Sequence, residues 1–231
     1  MHIKGLQKLT LLDYPGRLAA TVFFGGCDFR CPFCHNSPLV LSAADLPDID
    51  EASFFSFLEK RRGVLEGVAL TGGEPLLQPG LEDFMERIRK MGYAVKLDTN
   101  GSHPQALRRI LDRGLADYVA MDIKNSPAAY ARTTGLETAP LEALRESVAL
   151  LMEGRVEYEF RTTLVKGYHT PDTMRDIGRW IEGAPHYFLQ GFVDSGAVIA
   201  QGLSGFSPEE AEELRRAVLP FVPSAELRGI D

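Results

Sequence analysis

Long apolar runs, blocks of like charge and cysteine are what this sequence has least of. Nowhere do about 18 apolar residues follow one another, so no stretch is fit for a membrane-spanning helix. The opening residues, Met1-His-Ile-Lys-Gly-Leu-Gln-Lys8, have no apolar core of the signal-peptide kind. The expected location is therefore cytoplasmic. No block of like charge is long enough for a disordered tail, and no low-complexity segment or composition break divides the chain. One domain over residues 1–231 is expected, with 45% hydrophobic residues to build its core. A formal net charge of −7 argues against a general binder of nucleic acid or anionic membrane.

Cysteine occurs three times, and all three fall in one loop, Cys27-Asp-Phe-Arg-Cys31-Pro-Phe-Cys34-His-Asn36. Three is an odd number for disulfides and one short of a closed structural zinc site. In a reducing compartment such a group is metal-binding or redox-active rather than crosslinked. Two metal readings stand side by side: zinc completed by His35, and an iron–sulfur cluster with one iron lacking a thiolate.

Around this loop the chain alternates. Residues 1–18 read as a lead-in with a turn at Asp13-Tyr-Pro-Gly16, and residues 19–24 as a buried strand ending in Gly25-Gly26. Strands are then predicted at 67–71, 93–98, 117–122, 156–165 and 186–190. Helices are predicted at 51–62, 81–91, 104–113, 141–152, 171–181 and 208–219, with a last short strand at 225–228. Six strands alternating with helices imply a parallel sheet built through right-handed crossovers, with fewer units than a closed eightfold barrel. An open doubly wound sheet is the alternative, but its Gly-x-Gly-x-x-Gly fingerprint is missing after the first strand.

Reactive groups in parallel βα architectures gather at the C-terminal ends of the strands. Here the first strand ends in the cysteine loop and the second in Thr71-Gly72-Gly73-Glu74-Pro75. The third ends in Asp98-Thr-Asn-Gly101 and the fourth in Met121-Asp122-Ile-Lys124. Each has a plain structural reading as well. The glycines suit a tight turn, Asp98-Thr-Asn-Gly101 suits a helix start, and Asp122 with Lys124 suits a salt bridge on one strand face. Arg161, inside a mostly apolar strand, needs either a buried partner or a ligand.

Taken together these residues resemble a known family. Cys27-x3-Cys31-x2-Cys34, with Phe33 before the third cysteine, resembles the signature of radical S-adenosylmethionine (SAM) enzymes, and Gly72-Gly73-Glu74-Pro75 resembles their motif for the SAM amino group. Asp13-Tyr-Pro-Gly16, Cys34-His-Asn36, Asp98-Thr-Asn-Gly101, Met121-Asp-Ile-Lys124 and Glu226-Leu-Arg-Gly229 are similar to glycyl-radical-enzyme activating proteins. Within these, the similarity is greatest to the anaerobic ribonucleoside-triphosphate reductase activating proteins.

The resemblance implies an α/β fold, an incomplete (βα)6 TIM-like barrel of the radical SAM type. It implies a [4Fe–4S] cluster ligated by Cys27, Cys31 and Cys34, its fourth iron chelated by SAM. The reduced cluster would cleave SAM to methionine and a 5′-deoxyadenosyl radical, which abstracts hydrogen from a glycine of a partner glycyl-radical enzyme, here anaerobic ribonucleotide reductase. Phe33 would pack the adenine, and Gly72, Gly73 and Glu74 would position the amino group. Asp98 and Asp122 would lie near the cationic part of SAM, Lys124 would pair with its carboxylate, and Arg161 would steer the carboxylate or the deoxyadenosyl group. In related activases a monovalent cation sits beside SAM, and Asp98, Thr99 and Asp122 are the matching positions. Flavodoxin or ferredoxin would be the electron donor.

One departure stands out. Related activases carry a histidine after strand six that reaches the SAM ribose, whereas Leu189-Gln-Gly-Phe-Val-Asp194 has none, leaving Gln190 as nearest candidate. With no further cysteines, one cluster is expected. Two competing functions remain at this point. One is a small-molecule radical SAM enzyme resembling 7-carboxy-7-deazaguanine synthase, with magnesium near Asp98 to Asn100; the other is a non-catalytic metal or electron-transfer protein.

Overall fold

A computed structural model describes residues 1–194 and 196–230. Eight strands form one sheet in chain order: β1 (Ile3–Thr10), β2 (Ala19–Phe24), β3 (Gly67–Gly72), β4 (Ala94–Thr99), β5 (Tyr118–Asp122), β6 (Glu157–Leu164), β7 (Tyr187–Gly191) and β8 (Ala225–Arg228). β1 runs antiparallel to β2, and every later neighbour pair is parallel. β1 and β8 are the two edges, so the sheet curves without closing. The six strands predicted from the alternation are β2 to β7, the incomplete (βα)6 barrel. The lead-in is more ordered than expected, because its first half is β1. That strand was hidden by its pattern: it is an edge with Gln7 to Leu9 exposed, so no apolar run marks it.

The crossovers are α2 (Glu51–Glu59), α3 (Leu81–Lys90), α4 (Pro104–Asp112), α6 (Leu141–Met152), α7 (Pro171–Trp180) and α8 (Pro208–Val218). Short helices α1 (Ser37–Leu41) and α5 (Tyr130–Thr134) sit in the loops at the top of the sheet. Helix starts are fixed locally. The Asp50 side chain accepts from Ser53 N on α2, while Thr170 and Ser207 begin capping boxes on α7 and α8.

The apolar core lies between sheet and helices, not inside the curve. Val68, Leu70, Val95, Leu97, Val119 and Phe160 are fully buried there, against helix residues such as Phe84, Ile88, Leu107 and Leu144. At ~1.5–3 kcal/mol for each large apolar side chain, this layer is the main source of stability. Alternate residues of the same strands turn to the concave face, and most of these are polar: Thr21, Lys96, Asp98, Tyr118, Asp122, Glu159 and Arg161. Cross-strand register sets Asp122 beside Arg161, and Lys96 beside Tyr118. Deep in this face the Tyr118 hydroxyl donates to Glu159 Oε2 at 2.8 Å, and Arg228 pairs with Glu159 Oε1 at 3.3 Å. A concave face of partnered charges is expensive as a core and useful as a binding surface.

Candidate active site

A cavity of ≈400 Å³ opens at the C-terminal ends of the strands. Cys27, Cys31 and Cys34 line it together with Phe33, Gly72, Gly73, Asp98, Thr99, Asn100, Asp122, Lys124 and Arg161. The four strand-end motifs thus meet in one place.

The cysteine loop is held on several sides. Arg30 N donates to Thr134 O at 2.8 Å, which fixes the loop on α5, and Ala200 N donates to Pro32 O at 2.8 Å. Phe29 packs edge-on against Tyr130, and Phe33 edge-on against Tyr168. Phe29 N and Asn100 Nδ2 both donate to Cys27 Sγ, at 3.4 and 3.8 Å. Burial pushes the Cys27 thiol up to about 12 and the Cys31 thiol to about 11, so a bound metal has to draw these protons off. His35 lines the same cavity but is held by other groups. Its ring stacks on Phe192 and its Nε2 lies 2.8 Å from Val193 O, which engages that nitrogen away from the cysteines. Among the described residues no three His, Cys, Asp or Glu side chains are grouped closely enough for one ion.

The glycines are required by contact. Gly73 N donates to Phe24 O at 2.9 Å and Glu74 N to Gly26 O at 2.8 Å, clamping the end of β3 to the cysteine loop. A Cβ on Gly73 would collide with the Gly26 carbonyl oxygen, and one on Gly72 with the backbone of Phe24. Gly72 also has φ +121, where other residues are strained. Glu74 does not reach the cavity. Its carboxylate is fully buried and accepts from Leu76 N at 3.0 Å, Thr99 Oγ1 at 2.8 Å and Asn100 N at 2.7 Å. It therefore joins the end of β3 to the end of β4, while burial raises its pKa to about 7 against those donors.

Asp98, Asp122, Lys124 and Arg161 form one ring. Arg161 Nη1 lies 3.3 Å from Asp98 Oδ2 and its Nε 3.0 Å from Asp122 Oδ1, and Lys124 Nζ lies 3.0 Å from Asp122 Oδ2. Arg161 is therefore ion-paired, and it also lines the cavity. Burial pushes the aspartates up, but Arg161 and Lys96 hold Asp98 below the usual carboxylate range, and Arg161 and Lys124 bring Asp122 to about 2. Those same carboxylates keep Lys124 and Arg161 protonated despite burial.

Sequence reasoning missed Lys96 and Thr163, and it named Asn100 only for a magnesium ion. Lys96 supports Asp98 from below, and its signal was a lone charge two residues earlier on the same strand face. Asn100 touches both Cys27 Sγ and, at 2.8 Å, Asp28 Oδ1. Thr163 lines the cavity beside Gln190, which also faces it.

These residues fit the implied groups: three thiols on one cavity wall, backbone approaching without a Cβ, and a ring offering both charges to an amino acid. Residues 21–181 match the sequence profile of the Radical SAM superfamily. The chain is 27% identical, over 99% of its length and 96% of the relative's, to a putative glycyl-radical enzyme activating enzyme of Methanocaldococcus jannaschii. It is 31% identical to the pyruvate formate-lyase-activating enzyme of Clostridium pasteurianum, and 34% identical to a 7-carboxy-7-deazaguanine synthase of Methanopyrus kandleri. Each of these likenesses spans about half of both chains: 54% and 52% for the first, 48% and 51% for the second. Among solved structures, Streptococcus suis SuiB bound to its precursor peptide SuiA matches 90% of this chain and 48% of its own, with TM-score 0.68 and 12% identity, a likeness of fold.

Proposed function

The chain belongs to the radical SAM superfamily, and from that premise we propose that it is an activase acting on a glycine of a partner glycyl-radical enzyme, anaerobic ribonucleotide reductase being the first candidate. Cys27, Cys31 and Cys34 would hold a [4Fe–4S] cluster, one thiolate to each of three irons. When bound, the cluster and SAM would supply the radical chemistry that removes a hydrogen atom from glycine Cα. The chain's own residues bind, orient and exclude water. Lys124 offers its ammonium to the SAM carboxylate, and Asp98 and Asp122 favour the cationic amino and sulfonium groups. Phe33 gives an apolar wall to the adenine. Gly72 and Gly73 present bare backbone to the amino group, and Glu74 keeps that backbone in register with Asp98. Arg161 steers the carboxylate or the deoxyadenosyl group while holding both aspartates apart. A single domain over residues 1–231, a cytoplasmic setting and reduction by flavodoxin or ferredoxin complete the reading.

The observation that carries it is the size of the cavity. At ≈400 Å³ it is near the low end of small-molecule sites, ~300–1,000 Å³. With the cluster and SAM both inside, little room would be left, and a hydrogen donor would reach the opening from outside, as a loop of another protein can. The similarity along nearly the whole of a putative glycyl-radical enzyme activating enzyme supports the same choice. The test is co-expression with the host's glycyl-radical enzymes under anaerobic conditions. A glycyl EPR doublet on one partner is expected. If every partner stays silent while the loaded protein still cleaves SAM with dithionite, the substrate is a small molecule and the activase reading fails.

A further inference from the structure

Lys96 is the charged group next to the Asp98–Arg161–Asp122–Lys124 ring whose work is not accounted for by binding SAM. Its side chain is 2% exposed. It stands two residues before Asp98 on β4, so both project from the same strand face, with Lys96 one layer deeper than the cavity. Its ammonium donates to Asp98 Oδ1. Arg161 takes Asp98 Oδ2 and Asp122 Oδ1, and Lys124 takes Asp122 Oδ2. Each of the four carboxylate oxygens therefore has its own cationic partner, and three cations face two carboxylates.

A monovalent metal ion held between these aspartates needs oxygens that present negative charge to it. Here each of those oxygens already has a side-chain cation, so a metal ion bridging the two aspartates would have to displace one of them. We propose that Lys96 is a built-in cation: its ammonium does the work of the monovalent ion beside SAM in related activases, so this enzyme binds SAM without one. The inference rests on the SAM-binding reading above and goes beyond it, because it predicts which salts the enzyme needs. An ammonium carried by the chain is present at any salt composition and cannot be dialysed away. It also reaches Asp98 from below, leaving the cavity side of the ring free for the ligand.

The experiment uses the cluster-loaded protein, with SAM affinity measured by equilibrium dialysis in tetramethylammonium, sodium and potassium chloride at equal ionic strength. The wild type is expected to change by less than about twofold between salts, since exposed screening is then constant. Lys96→Ala is expected to lose about tenfold or more in tetramethylammonium, the scale of a lost charge-assisted contact. Sodium or potassium should restore most of that affinity, whereas Lys96→Arg should remain indifferent to salt. Broadening of the sodium NMR signal by the SAM-loaded protein, reversed by potassium, is expected for Lys96→Ala and not for the wild type.

A wild type that gains more than about fivefold from potassium, or that broadens the sodium signal, overturns the proposal. So does a folded Lys96→Ala whose loss no ion restores, because that is a structural role alone. The wild-type arms decide the matter even if the variant does not fold. Failure of the wild type to bind SAM in any salt sinks the SAM reading as well, which keeps the two failures apart.

Discussion

At the scale of single residues, the site is decided by charge placed two positions apart on strands. Asp122 and Lys124 project toward one cavity, and Arg161 arrives beside Asp122 through the β5–β6 register. An ammonium in such a place keeps its charge because two neighbours demand it, and a ligand carboxylate can then share it. Lys124→Ala is expected to weaken SAM binding by ~1–3 kcal/mol, the worth of one charge-assisted hydrogen bond. Equilibrium binding to the cluster-loaded variant checks this, and an unchanged affinity would remove Lys124 from the site. Cys31 is the most buried of the three thiols and gets a different forecast. Cys31→Ala should lose the cluster, read as iron and sulfide content, and with it deoxyadenosine release. Retention of both would show that this thiol is no ligand.

At the scale of elements, the parts of the site are joined by groups that never touch the cavity. Glu74 is the clearest, accepting from the end of its own strand and from Thr99 and Asn100 of the next. Its pKa stands near 7 in the fold against an ordinary 4.5, so the folded chain holds the proton more tightly than the unfolded one. Glu74 thus contributes fully to stability below the unfolded value, and that contribution is lost as pH rises through the folded value. Glu74→Gln removes the titration. The stability difference, wild type minus variant, is expected to fall between about pH 5 and about pH 8 in urea unfolding. Parallel curves for the two proteins would show that Glu74 is ionised throughout. This joint also marks what was readable beforehand. Strand-end motifs, helices and the six-unit count were legible because each is written in a short window of pattern and turn chemistry. Glu74 across to Asn100 and Arg161 between two aspartates were not, since cross-strand register is set by the whole sheet and no local window encodes it. Lys96 under Asp98, in contrast, had a local signal that was passed over. β1 was obscured for a related reason, an edge strand having no need of a continuous apolar face.

At the scale of the whole molecule, what matters is that the sheet stops short of closure. β1 and β8 end it without meeting, and the polar concave face is reached from the same side as the cysteine loop. A closed barrel would bury that face, whereas this one leaves a small reactive chamber beneath an opening. Such a shape suits a reaction in which the activated group stays inside and the second substrate presents only one atom. If that substrate is a glycine of a partner protein, the hydrogen removed from its Cα has one destination, the C5′ of deoxyadenosine. A partner enzyme labelled with α-deuterated glycine is therefore expected to yield deuterium in the 5′-deoxyadenosine released during a single turnover, detected by mass spectrometry. The same label should narrow nothing and transfer nothing in a partner whose acceptor glycine is replaced by alanine. Deuterium-free product from a partner that nevertheless acquires the glycyl radical would mean that another group relays the hydrogen, and direct abstraction at this opening would have to be given up.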